Sequence, residues 1–139
     1  MSEKKKRILW VSRHEPIPAE LDELKRVLGD YILIHYASLV EIRENEEESD
    51  LIRQIKSFKP HIVIPVLPLS IIKLLVDLKG KHGYEVWEAT FETVRVSESD
   101  EHNEYDEVAV KLHNGKWKIM KFISFSRIKK VEIEREPVA

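Results

Sequence analysis

The sequence predicts an α/β domain whose first half is built from strand–helix units around a parallel sheet. Three short, nearly continuous apolar runs (8–12, 31–36 and 61–66) are each followed by apolar residues at helical spacing. Strands buried on both faces read as unbroken apolar runs, whereas strands with one wet face alternate. After Tyr84 the pattern turns to alternation. There Asn114-Gly115 sits between two alternating runs, the strongest short-range hairpin signal.

Ile8-Leu9-Trp10-Val11-Ser12 is the first strand. Pro18 suits the first turn of a helix, and Leu21, Leu24, Val27 and Leu28 supply its apolar face. Gly29 follows as a C-cap, so helix one spans Pro18 to Leu28. Tyr31 to Tyr36 is the second strand. The acidic stretch from Ser38 to Ser49 leaves the next start open. Asn45 with Glu48 three residues on forms one capping pattern, and Asp50 is the alternative start. Leu51, Ile52, Ile55 and Phe58 form the apolar face of helix two, which Lys59-Pro60 stops.

His61 to Val66 is the third strand, and helix three runs from Leu69 to Lys79, closed by Gly80 and Gly83. Tyr84 to Val96 alternates as a half-solvated strand, and 97–106 is a polar, acidic loop. Val108 to Leu112 and Lys116 to Phe125 form the hairpin, and Val131-Glu132-Ile133 is expected to add a short last strand. Three strand–helix units in succession imply right-handed crossovers. The expected fold is a Rossmann-like three-layer domain with a parallel sheet of three to four strands (βαβαβα), extended by a C-terminal antiparallel hairpin. No repeat or linker divides the chain, so 1–139 reads as one domain: parallel units over 8–83 and mostly antiparallel strands over 84–135.

The length of 139 residues suits one hydrophobic core. The chain has no cysteine, which excludes disulfides, zinc ribbons and thiol nucleophiles together. Its net charge of −2 gives no overall positive field for nucleic acid. No apolar stretch reaches membrane-spanning length, and the N-terminus lacks the long apolar core of a signal peptide. A cytoplasmic location is therefore expected, with no membrane partner. Few amides and many Lys, Glu and Arg residues suggest a thermophilic source.

In open parallel sheets, ligands bind outside the carboxyl ends of the strands. That rule nominates Ser12-Arg13-His14-Glu15, then Ala37-Ser38, then Leu67 to Ser70. Ser12, Arg13, Glu15, Ser38 and Ser70 are the candidate ligand-binding residues. Arg13 offers a planar fork for a phosphate or carboxylate. His14 is the candidate catalytic residue, as acid, base or nucleophile. A histidine mechanism needs a second group, for which Glu15, Ser38 and Ser70 are the nearest by this rule. Helices one and three are expected to aim their positive ends at the same region. The plainer reading is an ordinary surface loop in which Glu15 pairs with Arg13.

Ile8 to Val11 followed by Arg13-His14 locally resembles the histidine phosphatases. They carry an Arg-His-Gly motif after the first strand, with the histidine as phosphate acceptor. Here Glu15 stands in place of the glycine. The second histidine and further arginines of that family have no assignable counterpart. The resemblance implies phosphoryl chemistry at His14 but covers only Ile8 to Glu15, and no family is assigned to the chain.

The four glycines form neither a dinucleotide fingerprint nor a Walker loop. No histidine pair has the helical spacing of zinc enzymes, and no metal site is expected. His35, inside a strand, reads as packed. Glu101, His102 and Asp106 read as a solvated acidic loop. Trp87, Phe91, Trp117, Phe122 and Phe125 are either a stacking platform for single-stranded nucleic acid or core. Three functions stand as expectations, with the cofactor unspecified. The first is a domain that binds a nucleotide or other phosphorylated small ligand. The second is a non-enzymatic interaction module, a homodimer through the C-terminal strands. The third, not favoured, is a nucleic-acid accessory protein of a mobile element.

Overall fold

A computed structural model describes residues 5–37, 50–132 and 134–138. Among them are six strands and three helices: β1 (Lys6–Val11), α1 (Pro18–Leu28), β2 (Tyr31–Tyr36), α2 (Asp50–Phe58), β3 (Ile62–Pro65), α3 (Leu69–His82), β4 (Glu85–Ser97), β5 (Glu107–Lys111) and β6 (Trp117–Ile128). The strands form one mixed sheet in the order β2-β1-β3-β4-β6-β5.

β1 pairs in parallel with both β2 and β3. β4 pairs in parallel with β3 only over Glu85 and Val86, opposite Ile62 and Val63. It then continues as a long antiparallel partner of β6, with irregularities at Thr90/Phe91 and Thr93/Arg95. Such bulges bend a strand and increase its twist. β5 closes the row against β6. The sheet is therefore partly antiparallel, and β4 belongs to both kinds of pairing.

Two of the three continuous apolar runs form the interior strands β1 and β3, while the third is β2 at the edge of the sheet. Ile8 to Val11 and Ile62 to Pro65 are all buried. Alternate residues of these runs enter opposite clusters. Leu9, Val11 and Val63 join Leu51, Ile52 and Ile55 of α2 and Ile71, Leu75 and Val76 of α3. Ile8, Trp10, Ile62 and Ile64 join Leu24 of α1 and Trp87 of β4.

α1 and β2 have the expected bounds, with Pro18 in the first turn and Gly29 in a positive-φ conformation at the C-cap. α2 begins at Asp50. The alternative start at Asn45 and Glu48 lies outside the described residues, as does Ser38. α2 ends at a left-handed non-glycine residue, Lys59, with φ 52°. The Arg7 side chain donates from Nε to the Phe58 and Lys59 carbonyls at 3.1 and 2.9 Å, capping the helix end.

Three expectations are corrected. α3 continues through Gly80 to His82 and stops at left-handed Gly83; one flanked glycine lowers helix propensity without ending a helix. β6 runs on to Ile128, because its partner β4 is long enough to pair it back to Val86. Val131 and Glu132 form no strand, and Ile133 lies outside the described residues. Val131 instead packs against the cluster that includes α2 and α3. No helix among the described residues is long and apolar enough to cross a membrane.

Candidate functional site

The Ser12–Glu15 turn follows β1, which lies between β2 and β3, and is held by two strand side chains. The buried Trp10 indole donates from Nε1 to the His14 carbonyl at 3.0 Å. His35, opposite Trp10 on β2, places Nε2 2.7 Å from the Ser12 carbonyl. A carbonyl only accepts, so this contact requires His35 to carry its proton on Nε2. Ser12 is buried, and its Oγ accepts the His14 backbone N–H at 3.1 Å. Its own N–H donates to the Tyr36 carbonyl at 3.2 Å.

These bonds fix the turn's backbone and leave the side chains after Ser12 exposed. Arg13, His14 and Glu15 are all exposed. The expected Arg13–Glu15 pair is not among the ion pairs of the described residues. Val66 donates its N–H to the Val11 carbonyl at 2.8 Å, bringing the end of β3 beside the end of β1. Val66 and Leu69 stand exposed there, and Ser70 is exposed in the first turn of α3. The N-cap of α3 is Pro68, with no side-chain cap.

At the start of α1, whose positive end was expected to serve this region, the backbone donors are already engaged. Pro18 has no N–H, and Ala19 donates its N–H to the Tyr105 carbonyl at 2.8 Å. The Glu20 carboxylate takes the Ile17 N–H at 3.0 Å. The protein's own groups thus occupy this helix start. Tyr105 reinforces the contact by donating from its hydroxyl to Asp22 at 2.7 Å.

Glu20 is the buried charged side chain of the described residues. Desolvation pushes its carboxyl up to about 7, and the Ile17 N–H pulls the other way. Burial likewise raises the Tyr84 phenol, which donates to the Leu75 carbonyl at 2.5 Å.

The aromatic residues of the ribbon are largely engaged with one another. Trp87 and Phe125, Phe91 and Phe122, and Phe122 and Phe125 have ring centroids 6.1, 5.6 and 5.1 Å apart. Trp117 carries the Lys111 ammonium over its ring. His102 contacts the Asp100 carbonyl through Nδ1. No group of three His, Asp or Glu side chains among the described residues could hold a metal ion.

Sequence reasoning missed Trp10, His35 and Glu20. The strand-end rule looks past a strand's last residue, whereas Trp10 and His35 act from within the strands. Glu20 makes only the returning half of a capping box, to the Ile17 N–H; Ile17 has no side-chain oxygen, so the sequence carries no capping-box signal there. Comparisons with protein-family models, curated proteins and solved structures find no match for this chain.

Proposed function

We propose that the chain is a Rossmann-like, three-layer binding domain for a nucleotide or another phosphorylated small ligand, held at the carboxyl ends of β1 and β3. The observation that carries this reading is the Ser12–Glu15 turn. Its backbone is fixed by Trp10, His35 and Ser12, while Arg13 and His14 stand exposed. A guanidinium on a fixed backbone loses less freedom when it grips an anion. Exposed Val66 and Leu69 give an apolar lip suited to a base or another uncharged part of the ligand. Ser70 and the start of α3 add hydrogen-bond donors.

Among the described residues, the His14 ring has no hydrogen bond to a carboxylate that would orient it as a general base.

The test is ligand-observed NMR with pooled mono-, di- and cyclic nucleotides, short oligonucleotides and sugar phosphates. Wild type is compared with Arg13→Ala and His14→Ala. A hit lost in Arg13→Ala with the fold intact supports the reading. A hit of equal strength in that variant, or no hit in any pool, refutes it.

A further inference from the structure

The two ends of the β5–β6 hairpin reveal which way the β5 backbone faces. Leu112 donates its N–H to the Lys116 carbonyl, and Phe122 donates to the Asp106 carbonyl, both at 2.8 Å. Both contacts continue the register that sets Glu107 opposite Lys121 and Lys111 opposite Trp117. Bonded and non-bonded pairs alternate along an antiparallel ladder. Val108 and Val110 therefore turn their amides and carbonyls toward β6. Glu107, Ala109 and Lys111 turn theirs to the other side, where the sheet ends. There the Glu107 N–H is taken by the Asn103 carbonyl. Among the described residues, Ala109 and Lys111 make no backbone bond outside the sheet.

We propose that this edge pairs with the same edge of a second copy of the chain, antiparallel, about a two-fold axis at Ala109. Glu107-Val108-Ala109-Val110-Lys111 is self-complementary in that register. The two Ala109 residues exchange a pair of hydrogen bonds. Each Lys111 N–H reaches the Glu107 carbonyl of the other copy, adding two more. The same pairing sets the Lys111 side chain opposite the Glu107 side chain at each end. Within one copy the Glu107 carboxylate already accepts from the Asn103 N–H and the Arg95 guanidinium, and the Lys111 ammonium lies over Trp117, so the attraction between copies adds to contacts already made. On the opposite face Val108 meets Val110 twice, and Val110 is 43% exposed in the single chain.

Moving the axis to Val108 or Val110 keeps the bonding alternation. It then sets Ala109 opposite Glu107 or Lys111, and both charge pairs are lost. Charge thus selects one register among those the backbone allows.

Analytical ultracentrifugation of the full chain from about 10 to about 500 micromolar tests this, since so short a seam lies below the standard interface size. Wild type is expected to double in mass over that range. Ala109→Pro is expected to stay monomeric. Its lost N–H faces away from β6, so the hairpin ladder survives. Lys111→Glu sets like charges opposite at both ends and is expected to weaken the dimer by about tenfold or more. This second variant decides the matter if the proline variant does not fold. Amide exchange at 109 and 111 is expected to slow as wild-type concentration rises. A wild type that stays monomeric throughout, or a dimer that survives the variants at full strength, overturns the proposal.

Discussion

The parallel half and the antiparallel ribbon of this sheet follow opposite rules. β1 and β3 bury every residue from Ile8 to Val11 and from Ile62 to Pro65. Helix residues join both of the core clusters that these strands enter. In the ribbon, Val94, Val96, Val110 and Ile123 remain exposed, and cohesion comes from an aromatic cluster and the β4–β6 ladder. Strands buried on both faces leave chemistry to the turns at their ends. A ribbon with a wet face and an open edge is free to meet partners along its length. α1 serves both regions. Its Leu24 packs with the parallel strands, while Ala19 and Asp22 hold the ribbon's Tyr105.

The largest expected contrast is in stability. Ile64 is fully buried, and Ile64→Ala is expected to cost about 2–5 kcal/mol in urea unfolding. Val96→Ala in the ribbon, at a residue 55% exposed, is expected to stay within about 0.5 kcal/mol. Equal losses would erase the distinction between the regions.

Next is the pH dependence contributed by Glu20. Its carboxyl titrates near 7 in the folded chain, against an ordinary value of 4.5. The folded state therefore holds this proton more tightly than the unfolded state. The associated stabilisation is fully present below about pH 4.5 and is lost as pH rises through 7. The loss is expected to be up to about 3 kcal/mol. Glu20→Gln keeps an acceptor for the Ile17 N–H and is expected to flatten unfolding free energy across that window. An unchanged slope in this variant would mean that Glu20 is not desolvated.

Two hydrogen-bond deletions sharpen the picture at smaller scale. Trp10→Phe removes the donor to the His14 carbonyl, at an expected cost of about 1–3 kcal/mol if the carbonyl is left unpaired. It is also expected to speed amide exchange in the Ser12–Glu15 turn. Tyr105→Phe removes the exposed bond to Asp22 and is expected to cost less than about 1 kcal/mol. Its readout is exchange at Ala19, whose N–H reports whether the ribbon's loop stays on α1.

Much of the mixed α/β pattern was legible because it follows from local periodicity and from Pro and Gly. Pro18 and Gly29 bound α1, and Asn114-Gly115 turns the hairpin. Long-range pairing was not legible. That β6 lies between β4 and β5, and that β4 pairs with both β3 and β6, depends on contacts between distant segments. The candidate turn was legible as a place. Its support by Trp10 and His35 was not, because a strand tryptophan or histidine reads as core until its polar atom has a partner. The start of α1 reads as a free positive end until Tyr105, far along the chain, is found bonded to Ala19.

The most direct test of the central claim is amide chemical-shift mapping of the labelled chain with the best phosphorylated ligand from the pooled screen. Shifts are expected to concentrate at Ser12 to Glu15 and Val66 to Ser70, at the carboxyl ends of β1 and β3. Shifts confined to β4, β5 and β6 would contradict it and place the ligand-binding function on the ribbon instead.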